Sequence, residues 1–192
     1  MKHSQIRQTI VETAANLFYQ NGYNSTGINE IIAKAGIAKA TLYNHFKSKE
    51  AICLAYLQFK NVTFVQQLQA FFQRYPKGEA QLLALFDFLT EFFEDRDFNG
   101  CWCIKTVAEI PKDNQVIKTE IQGQKRQLIV IIQQLVQASF PQKEADQQQS
   151  LAQQIYLLYE AAVSESHLHQ ASWPITTSQQ LCAQILTAAQ VA

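Results

Sequence analysis

A cysteine, Cys101, is followed four residues later by Lys105 in the segment GCWCIKTVAE. The spacing predicts a short helix over about 101–109, with Cys101 in its first turn. At that position the helix dipole favours a thiolate, and Lys105 adds positive charge on the same face. These residues predict a reactive thiol that responds to oxidants or electrophiles. Alternatively, Glu109 neutralises Lys105, and Cys101 and Cys103 are small buried residues that line a pocket.

A metal site made by Cys101, Cys103, His167 and His169 is a weaker alternative. Residues two apart on a helix diverge by about 200°, and the sequence holds no closely spaced ligand set. The chain also lacks a nucleotide-binding glycine loop, a Gly-x-Ser-x-Gly elbow and a His-Glu-x-x-His motif. We therefore expect no metal, no cofactor and no catalytic residue, and an enzyme ranks last among the function classes.

Aromatic residues in the second part of the chain are candidates for the wall of an effector cavity. Most aromatic residues at helical spacing belong to a core, so only some of them are expected to touch a ligand. The candidate sensing or ligand-binding residues are Phe64, Phe86, Cys101, Trp102, Cys103, Lys105, Tyr156 and Tyr159.

A second group of polar side chains lies in the first fifty residues. The segment 28–46 predicts helix, turn and helix, with Gly36 in the corner, and such a second helix can enter a DNA major groove. Leu42 and Phe46 are four residues apart and face the core. The outward residues can approach and hydrogen-bond base edges or phosphates; they are Lys39, Ala40, Thr41, Tyr43, Asn44 and His45. The alternative is an ordinary amphipathic helix with a polar face.

The charge distribution favours the DNA-binding interpretation. Residues 1–60 carry seven basic and three acidic side chains, a net +4, whereas residues 61–192 carry nine basic and thirteen acidic, a net −4. A basic end on an acidic body is typical of a protein that meets a polyanion.

With no apolar run of membrane length and no secretory signal at the N-terminus, we expect a cytoplasmic protein whose four cysteines are free thiols.

Hydrophobic residues recur with the helical period along almost the whole chain, and the few Gly and Pro residues favour long helices. Ser4 and Ser48 are predicted N-caps, and Trp173-Pro174 is predicted to separate the last two helices. The predicted helices are about 4–21, 28–35, 38–45, 49–75, 79–94, 101–109, 113–139, 143–170 and 177–190. This pattern predicts an all-α protein of about nine helices.

The helices suggest a small three-helix head joined by one long helix to a helical body. We assign residues 4–64 to a DNA-binding domain, with its helix-turn-helix at about 27–46, and residues 65–192 to a ligand-binding and dimerisation domain.

About fifty residues of the head, from Arg7 through the segment 22–52, resemble the DNA-binding domain of the TetR family. The matching positions include Gly22, Thr26, Ile31, Ala35-Gly36, Lys39, Thr41-Leu42-Tyr43, His45-Phe46 and Ser48-Lys49-Glu50. The resemblance implies an all-helical homodimeric transcription regulator, usually a repressor. It implies a head that binds a palindromic operator and a body that binds a small-molecule inducer.

The same resemblance carries DNA contacts over to Thr26, Lys39, Thr41, Tyr43, His45 and Lys49. This chain departs from the family at two positions. Gly27 and Ala38 stand where the family usually has a hydroxyl residue that caps a helix. A side-chain cap or a hydroxyl contact to phosphate at position 38 is therefore not expected.

The Gly-Cys-x-x-x-Lys-x-x-Ala-Glu pattern of residues 100–109 resembles a subgroup of that family, which includes the electrophile-sensing repressor of N-ethylmaleimide reductase. The family also pairs its last two helices between subunits, which implies a dimer through about 143–170 and 177–190. The remaining alternative is a helical effector-binding or interaction protein that no longer binds an operator.

Overall fold

The computed structural model describes residues 3–191, and within that range the chain forms nine α-helices and no strand. The helices are α1 His3–Asn21, α2 Ile28–Ala35, α3 Lys39–His45, α4 Lys49–Phe72, α5 Glu79–Glu94, α6 Trp102–Glu109, α7 Gln115–Ser139, α8 Ala145–His169 and α9 Trp173–Val191. The predicted all-α class is confirmed, and most helix ends lie within three residues of the expected positions.

Two predicted helix starts differ from the structure, and one predicted cap is present. Helix α9 begins at Trp173, not near 177, because Pro174 lies in its first turn, where a missing backbone N–H leaves no hydrogen bond unmade. Ser4 lies inside α1, which is already helical at His3, so Ser4 is not its N-cap. The hydroxyl of Ser48 accepts a hydrogen bond from the Ala51 N–H at 3.1 Å, as expected for the start of α4.

The chain divides into two compact units: unit 1, Met1–Val65 and Cys101–Gly123, and unit 2, Gln66–Gly100 and Gln124–Ala192. Unit 1 therefore combines the N-terminal head with α6 and the first part of α7. Its core contains Ile10, Phe18, Ile31, Leu42, Phe46, Ile52, Tyr56, Leu57, Cys103, Ile110, Ile117 and Ile121. The segment around Cys101, which we had assigned to the body, is thus packed with the head by its buried isoleucines.

Unit 2 is built by α5, α8 and α9 with the second part of α7. Phe86 and Tyr159 make an edge-on aromatic contact in its core, with ring centroids 6.2 Å apart. The Lys125 ammonium lies 2.6 Å from a carboxylate oxygen of Glu160, and both side chains are mostly buried. This ion pair joins α7 to α8, and loss of either partner would leave a mostly buried charge without its counterion. No helix in the described range is long and apolar enough to cross a membrane.

The backbone conformation at position 36, and not the space around it, requires a glycine. Gly36 ends α2 in the left-handed region, with φ 64°, and a Cβ added there meets no atom within 4 Å. We therefore expect Gly36→Ala to lower the free energy of unfolding by about 1–2 kcal/mol, the cost of placing an L-residue in that region.

Gly123, inside α7, also has open space around its Cα. There we expect Gly123→Ala to raise the free energy of unfolding by about 0.5–1 kcal/mol. Urea unfolding at one protein concentration measures both changes, and equal signs would contradict this assignment.

Candidate nucleic-acid interface and thiol site

The helix-turn-helix is formed by α2 and α3 around Gly36. The N–H groups of Gly36 and Ile37 donate to the carbonyls of Ala33 and Ile32, which closes the end of α2. Gly27 and Ala38 are the N-caps of α2 and α3, and neither makes a side-chain capping bond. Ile31 and Leu42 are fully buried instead. The angle between the two helices is therefore held by core packing and by the turn.

Burial of Leu42 and Phe46 turns the opposite face of α3 outward. Lys39, Ala40 and Asn44 are exposed, and Tyr43 keeps 40% of its surface exposed. Thr41 and His45 are partly buried at the edges of this face. We call these six residues, 39–41 and 43–45, the reading face; its exposed side chains include a cation, an amide and a phenol.

His45 lies at one end of the reading face, against α1. Its ring lies against that of His3 in a tilted arrangement, with centroids 4.1 Å apart, and the Arg7 guanidinium lies 4.9 Å from the centre of the neighbouring Phe46 ring. Desolvation lowers the pKa of His45, and the positive fields of His3 and Arg7 lower it further. His45 is therefore a neutral hydrogen-bonding group at pH 7, without a fixed charge to offer a phosphate.

Lys49 lies in the first turn of α4, with its ammonium 4.4 Å from the centre of the Tyr23 ring. Desolvation lowers the pKa of Lys49, while its neighbours Cys53 and Glu109 raise it. The charge is thus placed at a helix N-terminus, beside backbone N–H groups that can share a phosphate with it.

The predicted DNA contact of Thr26 requires a correction. Thr26 is fully buried, and its hydroxyl lies 2.8 Å from the Gly22 carbonyl and 3.2 Å from the Leu17 carbonyl. It therefore closes the connection between α1 and α2 from inside. The spacing of four residues from Gly22, just past the end of a helix, is the sequence signal that could have indicated this role.

Cys101 is the N-cap of α6, one residue before the predicted first turn, and it is partly exposed. The other three cysteines are buried. Burial raises the pKa of Cys53 to about 12 and that of Cys182 to about 12. On exposure and on helix position, Cys101 is the most accessible thiol of the four.

The Lys105 ammonium contacts a backbone group of the head, so it is not available to Cys101 alone. It donates to the backbone carbonyl of Tyr19 at 2.9 Å, and desolvation lowers the pKa of Lys105 while Glu109 raises it. One turn later, the Glu109 carboxylate accepts a hydrogen bond from the Asn24 N–H at 2.6 Å. The sequence predicted a lysine directed at Cys101; these contacts of α6 with the head were missed, because spacing within one helix does not show its partners on another.

The aromatic candidates fall into both units. In unit 1, the Trp102 ring makes an edge-on contact with Phe64 at 5.4 Å, and the Lys60 ammonium lies 5.5 Å from Trp102 and 4.1 Å from Tyr19. Cys103 is buried in the same core. In unit 2, Phe86 and Tyr159 are buried and Tyr156 is partly buried. Within the described range, no three His, Cys, Asp or Glu residues come together in a way that could hold a metal ion.

Comparison with known proteins finds similarity to bacterial regulators. Residues 10–56 match the family model described as bacterial regulatory proteins, tetR family. The HTH-type transcriptional repressor NemR of Escherichia coli (strain K12) is 25% identical over 143 residues, which are 71% of this chain and 70% of that protein.

Solved structures share the fold over almost the whole chain. SCO4454, a TetR-family transcriptional regulator from Streptomyces coelicolor, superimposes with a TM-score of 0.87 at 22% identity, over 97% of this chain and 96% of its own. The reduced form of E. coli NemR gives a TM-score of 0.81 at 20% identity, over 94% and 97% of the two chains.

The reading face yields a direct mutational prediction. We expect Thr41→Ala or Tyr43→Ala to weaken binding to the cognate DNA site by about 1–3 kcal/mol with the fold retained, because both side chains lie at the surface of α3. Lys39→Ala should weaken binding to all sequences alike and reduce the salt slope by about 1, as a phosphate contact does. Fluorescence anisotropy at several salt concentrations measures these effects. Wild-type affinity in all three variants would show that α3 does not read DNA.

Proposed function

Because the chain carries a TetR-family DNA-binding domain and has the TetR-type fold, we propose that it is a transcriptional repressor that binds a palindromic operator as a homodimer. We further propose that an inducer or modification of a thiol releases it from DNA. The observation that carries the proposal is the reading face of α3, which the Gly36 turn and the buried Leu42 hold outward. The similarity to a protein named as a repressor supports repression over activation.

Charge supports the assignment of the two ends of the chain. Residues 1–60, which include the reading face, carry a net charge of +4, and Lys39 and Lys49 are part of that charge. Positive charge supplies the sequence-independent part of DNA affinity, and the α3 side chains supply base discrimination. A helical interaction protein that had lost operator binding would not need this combination.

Exposed apolar residues on α8 and α9 support a dimer through these helices. The sequence offers an apolar stripe on each helix for this interface: Leu151, Ile155, Leu158 and Ala162 on α8, and Leu181, Ile185 and Ala188 on α9. Leu151, Ile155 and Ala162 are buried within the subunit, whereas Leu157, Leu168, Trp173 and Leu181 are 64%, 71%, 55% and 42% exposed. The apolar residues of α8 and α9 therefore divide between the subunit core and the surface. An apolar outer face on two adjacent helices is typical of a four-helix interface between copies.

The dimer can be tested by sedimentation. We expect wild-type protein to sediment as a dimer at micromolar concentration, and Leu157→Glu or Leu181→Glu to shift it toward monomer and to weaken operator binding, because each buries a charge in the interface. Val116→Glu is the matched control, since Val116 is 54% exposed on α7, outside α8 and α9. A wild-type monomer would exclude binding to a palindrome by paired heads.

Cys101 is the proposed sensing thiol, and the next residue, Trp102, contacts Phe64 and the Lys60 ammonium through its ring. Its thiolate can add to the double bond of N-ethylmaleimide: a C–S bond forms, the π bond breaks, and the neighbouring carbon takes a proton. The adduct adds bulk at the start of α6, in a unit whose core is closely packed.

We expect N-ethylmaleimide or hypochlorite to reduce operator binding by wild-type protein. Cys101→Ser should abolish this response, whereas Cys53→Ser should keep it, because burial holds the Cys53 thiol protonated at neutral pH. Anisotropy before and after treatment, with mass spectrometry of the modified peptide, gives the comparison. If Cys101→Ser responds like wild type, release depends on a different group and a reversible small-molecule inducer becomes the better explanation.

A further inference from the structure

Two hydrogen bonds, both donated by Asn24 and accepted by Glu109, attach α6 to the connection between α1 and α2. The Glu109 carboxylate accepts from the Asn24 N–H at 2.6 Å, and the Asn24 side-chain amide donates to the Glu109 backbone carbonyl at 2.9 Å. A third bond runs from the Lys105 ammonium to the Tyr19 carbonyl at 2.9 Å. Two side chains one turn apart thus connect α6 to two successive points of the head.

Each of these contacts satisfies a group at the end of α1 or just beyond it. The Tyr19 carbonyl is among the last four of α1, which have no regular partner within the helix, and a cation there also complements the helix dipole. Gly22, two residues before Asn24, has φ 91°, and a Cβ at this position would lie 2.4 Å from a carboxylate oxygen of Glu109. The chain therefore passes directly beneath the Glu109 carboxylate at this point.

The connection leads straight into the helix-turn-helix. The Thr26 hydroxyl binds back to the Gly22 carbonyl at 2.8 Å, and Gly27 is the N-cap of α2. The position of Glu109 is thereby linked to the start of α2 within a few residues. The charge of Glu109 also acts on the head, because its field raises the pKa of Lys49, which desolvation alone lowers.

The opposite end of α6 begins at Cys101. The helix has eight residues, Trp102–Glu109, and is therefore about 12 Å long. A helix of two turns moves as one body, because bending it would break its few internal hydrogen bonds. A displacement at the Cys101 end consequently reaches the contacts of Lys105 and Glu109 with the head.

We propose that Glu109 is a positioning residue that couples α6 to the DNA-binding head, by holding the α1–α2 connection to the C-terminal end of α6. This inference rests on the proposed function, because it takes release from DNA to begin with a change at α6. The carboxylate transmits the displacement; it neither contacts DNA nor reacts with the inducer.

The test compares Glu109→Ala, which removes the carboxylate, with Glu109→Gln, which keeps an oxygen acceptor for the Asn24 N–H and loses the charge. Glu120→Ala is the matched control, because Glu120 is a carboxylate of unit 1 that accepts a hydrogen bond from the Gln58 side-chain amide of α4 at 3.4 Å. Operator affinity is measured for each protein before and after complete alkylation of Cys101, which mass spectrometry verifies.

We expect alkylation to lower the operator affinity of wild type and Glu120→Ala by about 5- to 150-fold, the usual range of coupling between two sites. In Glu109→Ala the loss should fall below about threefold at equal alkylation, which is less than the lower end of that range. Glu109→Gln should keep most of the response, since the hydrogen bond persists. A response in Glu109→Ala equal to that of wild type would overturn the proposal.

A second measurement separates this inference from the thiol switch. Coupling is reciprocal, so operator DNA should slow amide hydrogen exchange in α6 of wild type, and it should not do so in Glu109→Ala. If alkylation leaves wild-type affinity unchanged, the thiol switch fails, and this exchange difference alone decides the coupling. Equal protection of α6 by DNA in both proteins would then refute the role of Glu109. Should Glu109→Ala fold poorly, Glu109→Asp keeps the charge but shortens the side chain, which draws its oxygen away from the Asn24 N–H, and is expected to lose the same protection.

Discussion

The core of unit 1 joins two stretches of chain that are far apart in sequence, and the geometry of both candidate sites depends on this packing. Ile110, Ile117 and Ile121 are buried together with Ile31, Leu42 and Phe46, the residues that hold the helix-turn-helix. Full burial of one such side chain contributes about 1.5–3 kcal/mol. The combined burial is therefore large enough to make α6 and the start of α7 part of the head. The start of α6 is then connected to α3, the second helix of the helix-turn-helix, through a single compact core.

The helix-turn-helix depends on this core more than its cap residues suggest. Helices α2 and α3 have eight and seven residues, too few for stability in isolation, and neither has a side-chain N-cap. Gly27 and Ala38 stand where a hydroxyl would satisfy an N–H group of the first turn. The orientation of α3 thus follows from the burial of Leu42 and from the αL turn at Gly36. A change in the core beneath α3 is transmitted to the reading face without a competing local anchor.

The sequence was sufficient for features that repeat along one element and insufficient for contacts between elements. The helical period located the helices, and Gly36, Ser48 and the apolar pair Leu42 and Phe46 identified the turn, the cap and the inward face of α3. The family resemblance carried a DNA contact over to Thr26, and the helical spacing put Lys105 on the face of Cys101, but neither indicated the partners that these side chains have in the fold. Thr26 closes a loop onto Leu17 and Gly22, and Lys105 bonds a carbonyl 86 residues away. Spacing along a helix fixes which way a side chain faces, but the fold decides what lies there. Most of the fold and the reading face were predictable, whereas the contacts of α6 were not.

The polar character of the contacts between α6 and the α1–α2 connection has a physical consequence for signalling. The hydrophobic contribution of apolar packing is non-directional and scales with the area buried, so it does not depend on the alignment of individual atoms. A hydrogen bond to a charged group weakens steeply with distance and angle, and loss of such a bond leaves the charge and its partner to be resolvated. Glu109 and Lys105 place contacts of this kind at the end of a helix whose remaining inward residues, Cys103 and Thr106, are buried. The buried residues hold α6 in place against thermal motion, while the charged contacts make the conformation of the head depend on the exact position of α6. A short helix that is both well anchored and sharply coupled can convert a small change at Cys101 into a change in the placement of α2.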